Sequence, residues 1–100
     1  MKNFRTYQLA IKFYHSTQEI NLANTLRNQL DRAASSIVLN LAEGYGRSSG
    51  RDQTRFYRIA FGSLRECQAV LELAKGDNQG VKIDADKIAA HLYRLIQNSP

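Results

Sequence analysis

The chain has 100 residues, one cysteine, and 14 Lys and Arg against 9 Asp and Glu, so its formal net charge is +5. A single cysteine excludes an internal disulfide framework, and no apolar run reaches the ~18 residues that a membrane span requires. The first residues carry no apolar signal segment. The length suits one domain, so we expect a single cytoplasmic domain over residues 1–100.

Apolar residues recur at helical spacing along most of the chain. In the first segment, for example, Phe4, Tyr7, Ile11 and Tyr14 share one helical face. Helices are predicted over about residues 4–15, 24–43, 50–75 and 84–97. Because these helices are amphipathic and their joints are short, the sequence predicts an all-α fold, an antiparallel up-down-up-down four-helix bundle.

The ends of these helices are predicted from their boundary residues. The stretch Gly44-Tyr45-Gly46 is expected to stop the second helix, in a turn where glycine supplies unusual backbone angles. Ser49 to Asp52 is typical of a capping box at the start of the third helix. Asp84 is expected to cap the fourth helix.

Residue types that carry catalysis or bind metals are sparse and scattered. His15 and His91 are distant from one another and from Cys67, so no metal-ligand spacing occurs. Cys67 falls on the apolar face of the third helix, which favours a small core residue over a nucleophile. We therefore expect no enzyme activity, no cofactor and no metal site.

Positive charge is concentrated before residue 67, where the whole excess lies. Arg51, Arg55, Arg58 and Arg65 fall on one face of the third helix, and Arg47 precedes them in the turn. The planar guanidinium group of arginine presents N–H donors that match phosphate oxygens, so this face predicts contact with RNA or another nucleic acid. The alternative is that these arginines pair with acids. The candidate acids are Asp31, Glu43, Glu66 and Glu72. Both interpretations remain open.

The glycine-rich turn over residues 44–50 is a second candidate for anion binding. It departs from the dinucleotide fingerprint because Ser49 stands where glycine is required, and no strand precedes it. A plain helix-to-helix turn explains it. An anion at the helix start between Arg47 and Arg51 is the alternative.

Three residues of the middle helices point to self-association. Leu39 lies away from the apolar face of its helix, Phe61 lies off the main face of the third helix, and Gly62 stands in mid-helix. Glycine there costs about 1 kcal/mol relative to alanine, which suggests the close approach of another backbone. Leu39, Phe61 and Gly62 are therefore the candidate oligomer contacts.

The centre of the chain carries a specific pattern. It includes Gln29 to Ile37, Asn40 to Arg47, and Gly62 to Glu66. These stretches resemble the bacterial four-helix bundle family, also called the 23S rRNA-intervening-sequence or S23 family. The resemblance implies a four-helix bundle that assembles as a homopentameric ring. Where that family often has an acid, this chain has Arg58, so its basic face is partly its own.

A related branch, the accessory variability determinant proteins of diversity-generating retroelements, binds a reverse transcriptase and nucleic acid through a basic surface. Two functions follow for this chain. The first is a non-catalytic oligomeric bundle that binds nucleic acid, RNA first, through the five arginines. The second is an adaptor that docks a protein such as a reverse transcriptase. We expect no membrane partner.

Overall fold

The computed structural model describes residues 4–48 and 50–98. They form α1 (Phe4–Thr17), α2 (Asn24–Tyr45), α3 (Gly50–Leu73) and α4 (Gln79–Gln97). Each helix packs on the next, and α4 packs on α1, while no diagonal pair is in contact within the described residues. The all-α, up-down-up-down bundle predicted from the sequence is confirmed. None of these four helices is both long enough and apolar enough to cross a membrane.

The core lies between the four helices along an elongated body of 41 × 21 × 17 Å. Its largest fully buried side chains include Phe13 of α1, Ile37 of α2, Tyr57 and Leu64 of α3, and Leu92 of α4. The third helix, α3, packs against both α2 and α4. The hydrophobic contribution to stability therefore comes from all four helices.

The crossing of α2 and α3 is closest at Gly44. A Cβ atom at this position would lie 2.9 Å from Cε1 of Tyr57 and 3.1 Å from Cβ of Phe56. As predicted, α2 ends within the stretch from Gly44 to Gly46, with Gly46 at its C-cap. The unusual backbone angles expected of this turn do not occur at Gly46, whose φ is −78°. Gly76 is the one residue with positive φ in the described part of the chain. Gly44 is required for close packing instead.

The start of α4 also differs from the sequence prediction. It begins at Gln79, so Asp84 lies inside the helix and does not cap it. The backbone N–H of Gln79 donates to Oδ1 of Asp77 at 3.2 Å. Because Val81 packs against the core, the extra turn buries apolar surface. The predicted capping box at the start of α3 includes Ser49, which lies outside the described residues.

Arg27 of α2 fixes the C-terminal end of α1. Its Nη1 donates to the carbonyl of Ile20 and its Nη2 to the carbonyl of Thr17, both at 2.8 Å. Nη2 also lies 3.1 Å from Oδ1 of Asp31, one turn further along α2. One half-buried guanidinium therefore satisfies two backbone carbonyls, one at the last residue of α1 and one in the segment that follows the helix.

Replacing Gly44 by alanine should destabilise the bundle. The added methyl group would be forced against Tyr57 and the backbone-proximal Cβ of Phe56, and such overpacking costs about 1–3 kcal/mol. Chemical denaturation followed by circular dichroism measures this cost. Gly80→Ala is the matched control, because a Cβ at Gly80 meets no atom within 4 Å. Equal stability of the two variants would contradict the close crossing.

Replacing Arg27 by alanine should destabilise the bundle by about 1–3 kcal/mol, because two carbonyls lose a charged donor. Arg32→Ala is the control: its ion pair with Glu66 is exposed, with the Arg32 side chain 73% accessible, so its loss should cost at most about 1 kcal/mol. Denaturant titration measures the free energy of unfolding of the two variants. Similar losses would show that Arg27 does not hold α1 in place.

Candidate nucleic-acid interface

The positive charge is concentrated in one half of the bundle. Dividing each helix at its midpoint, we call the half that contains the α2–α3 turn the turn half. It holds six cations and two carboxylates: Arg5, Arg47, Arg51, Arg55, Arg58 and Arg94 against Glu43 and Asp52. In the other half of the described chain, basic and acidic residues are equal in number. The antiparallel topology thus turns an excess spread along the sequence into a polarised surface.

Two of the five predicted arginines pair with acids in the turn. Arg47 lies 2.8 Å from Oε2 of Glu43 and 3.7 Å from Oδ2 of Asp52. Arg55 lies 3.3 Å from Oδ1 of Asp52. Both guanidinium groups lie over the ring of Phe56, at 4.8 and 4.5 Å from its centroid. For Arg47 and Arg55 the structure therefore supports the ion-pairing alternative.

These contacts also bear on the anion site suggested at the turn. Arg47 is balanced by two carboxylates, and Asp52 occupies the first turn of α3. An acidic side chain there interacts favourably with the helix dipole by itself. The geometry of the turn favours the plain helix-to-helix connection over an additional anion.

The other three predicted arginines form what we call the arginine row: Arg51, Arg58 and Arg65. They stand seven residues apart, all exposed on α3. That interval brings side chains back to almost the same angle about the helix axis, so the row runs nearly straight for about 21 Å. Within the described residues, none of the three contacts a carboxylate.

Among the described residues, none of the remaining candidate acids forms an ion pair with the row, although Glu72 lines a cavity together with Arg65. Asp31 pairs with Arg27, and Glu66 pairs with Arg32 at 3.2 Å. Arg65 is held by a neutral group, since its Nη1 donates to Oε1 of Gln68 at 2.8 Å. The row is therefore a set of uncompensated charges on a rigid helix, which suits a line of phosphates.

A shallow groove between α3 and α4 borders the arginine row. It is lined by Phe61, Arg65, Ala89, Ala90, Tyr93 and Arg94. Sequence reasoning missed Tyr93 and Arg94, because the last third of the chain balances to zero charge as a whole. Its acids, however, all precede residue 87, so the end of α4 carries only positive charge.

The comparison with protein families matches residues 3–98 to the family described as 23S rRNA-intervening sequence protein. The chain belongs to this family. No curated protein matches the chain. The family match covers every described helix, including α1 and α4, where the sequence pattern alone is weak.

In this member of the family, the three candidate oligomer contacts lie on two sides of α3. Leu39 is 63% exposed and Gly62 has open space where a Cβ would stand. Phe61 instead packs partly against the core on the groove side, under the guanidinium of Arg65. No close backbone approach to Gly62 occurs within the described part of the chain.

Leu39 has an apolar neighbour that sequence reasoning did not identify. The Arg32–Glu66 ion pair joins α2 to α3. Seven residues further along each antiparallel helix, on the same sides, stand Leu39 and Ile59. Ile59 is 41% exposed. The two side chains therefore form an apolar patch on the α2–α3 side of the arginine row, which we call the Leu39–Ile59 patch.

Cys67 and His91 lie in environments that shift their pKa values. Burial, and after it the charge of Glu66, raise the pKa of the Cys67 thiol to about 12. A thiol of this kind stays protonated and unreactive near neutral pH. The pKa of His91 is lowered, mainly by burial and then by Arg94 and Arg5. No cluster of three or more His, Cys, Asp and Glu suited to a metal occurs in residues 4–48 and 50–98.

Proposed function

We propose that this family member is a non-catalytic oligomeric bundle that binds nucleic acid, RNA first, in the cytoplasm. The observation that carries the proposal is the arginine row, in which none of the three guanidinium groups contacts a carboxylate of the described residues. Arg51 and Arg58 lie in the half of the bundle that holds the positive excess, and Arg65 continues the row past the midpoint of α3. The paired Arg47 and Arg55 add to the field without being free for direct contact.

The physical basis is phosphate recognition. Each arginine that neutralises a phosphate releases condensed counterions, and this release drives binding without reading a sequence. Guanidinium groups also bind phosphate oxygens through two parallel N–H donors. A row about 21 Å long on one helix offers such contacts at intervals of about 10 Å.

The oligomer is part of the same proposal. The Leu39–Ile59 patch and the open space at Gly62 provide an apolar, closely approachable surface beside the row. Apolar surface of this kind favours association when a second copy covers it. The homopentamer itself rests on the family resemblance. In a ring, five rows would combine into one strong positive field.

A protein-docking adaptor is the second candidate. The Leu39–Ile59 patch favours it, because exposed apolar side chains next to charge are typical of protein interfaces. A reverse transcriptase is the partner that the resemblance implies. Pull-down after nuclease treatment separates the candidates: stoichiometric recovery of one protein supports the adaptor, and loss of all bound material supports nucleic-acid binding.

The triple variant Arg51→Gln, Arg58→Gln and Arg65→Gln should bind RNA weakly. Three lost phosphate contacts should reduce the slope of log affinity against log salt by about 2 for a single strand. Fluorescence anisotropy over a series of salt concentrations measures this slope.

The control removes the same amount of charge at three exposed lysines outside the row, with Lys12→Gln, Lys75→Gln and Lys87→Gln. This variant should keep most of its affinity, because its lysines lie away from the row. Equal losses in the two triple variants would show that net charge alone governs binding, and would contradict the role of the row.

Light scattering at micromolar concentration should give about five times the chain mass of 11.3 kDa. Leu39→Ser should lower the mass, because it removes the apolar centre of the patch. The control is Leu73→Ser. Leu73 is 66% accessible, about as exposed as Leu39, but it lies at the C-terminal end of α3, away from the patch. A monomeric wild type would overturn the oligomer.

A further inference from the structure

The groove between α3 and α4 combines an open aromatic ring with uncompensated positive charge. Tyr93 lines this groove, and its side chain is 57% exposed. Ala89 and Ala90 also line it, so small side chains leave the space beside the ring unfilled. Arg65 stands on the α3 side and Arg94 on the α4 side.

The other aromatic rings near the arginine row are already covered. Phe56 has guanidinium groups of Arg47 and Arg55 over its ring, and Phe61 has that of Arg65 at 4.8 Å. No ring or cation contact covers Tyr93 in the described part of the chain. Tyr93 is thus the aromatic face beside the row that remains available for stacking.

The two charged side chains that line the groove, Arg65 and Arg94, are both positive. Asp86, one turn before Ala90 on α4, accepts from Nε2 of Gln68 at 3.1 Å. Neither Arg65 nor Arg94 contacts a carboxylate among the described residues. The pKa of the nearby His91 is lowered first by burial and then by the positive charges of Arg94 and Arg5. An anionic ligand with a flat, apolar part complements such a site. A nucleotide has both properties.

We propose that this groove binds one unpaired base of a single-stranded nucleic acid. The base stacks on Tyr93, and the adjoining phosphates contact Arg65 and Arg94. Stacking on aromatic side chains within a positively charged groove is how proteins hold single strands without reading their sequence. This inference rests on the proposed nucleic-acid binding and deepens it, because it names the strand state and adds Tyr93 and Arg94 to the interface.

A duplex would use the protein differently. Its bases are stacked and paired, so only its phosphates would face the protein, and the arginine row alone would contact them. Tyr93 would then contribute nothing to the affinity. The effect of the tyrosine ring therefore distinguishes the two strand states.

The test titrates the full chain against a labelled oligouridine, which has no stable secondary structure, and a blunt RNA duplex of equal length. Tyr93→Ala should weaken binding of the single strand by about 5- to 100-fold and leave duplex binding unchanged. Tyr93→Phe keeps the ring and should restore the affinity. Ile83→Ala, at another exposed position of α4 in the opposite half, is the control. Circular dichroism verifies that each variant is folded.

Loss with alanine and rescue with phenylalanine would support the groove. Tighter binding of the duplex with no effect of Tyr93→Ala would overturn the groove while leaving the arginine row intact. Binding of neither RNA would overturn the proposed function itself. A reduced mass of Tyr93→Ala in light scattering would show that a second copy occupies the groove, and would also overturn the inference.

Discussion

The close approach of α2 to α3 at Gly44 is the constraint on which the basic surface depends. Because residue 44 has no side chain, Tyr57 can fill the core beneath it and Phe56 can lie beside it at the end of the bundle. Phe56 in turn supports the guanidinium groups of Arg47 and Arg55. The helix crossing therefore determines where the turn lies and which arginines meet Asp52.

This arrangement divides the arginines by physical role. Those near the turn are balanced by carboxylates and stabilise the connection between the helices. Those at seven-residue intervals are exposed along α3, and none of them contacts a carboxylate of the described residues. Because surface ion pairs contribute at most about 1 kcal/mol each, the turn cluster orients side chains more than it stabilises the fold.

The two sides of the arginine row differ in chemistry. On the α2 side stands the apolar Leu39–Ile59 patch, and on the α4 side stands the groove with Tyr93 and Arg94. Self-association through the first would leave the second open. A ring of bundles would then present each groove beside a row of arginines, so the proposed oligomerisation and the proposed nucleic-acid binding would use different sides of the arginine row.

Much of this protein follows from the sequence by itself. Helical periodicity predicts the four helices, since the amphipathic repeat is local, and a contiguous motif around Asn40 to Arg47 identifies the family. The exposed face of α3 follows from the same periodicity. The start of α4 did not follow, because Asp84 resembles a cap while the burial of Val81 extends the helix.

Only the tertiary structure decided what depends on a neighbouring helix. It assigned Gly44 to close packing, divided the five arginines into paired and uncompensated groups, and placed Tyr93 and Arg94 beside Arg65. The physical reason is distance. Residues separated by dozens of positions meet only when the helices pack, and one sequence contains no local signal of which acid an arginine will face or which ring will stay uncovered.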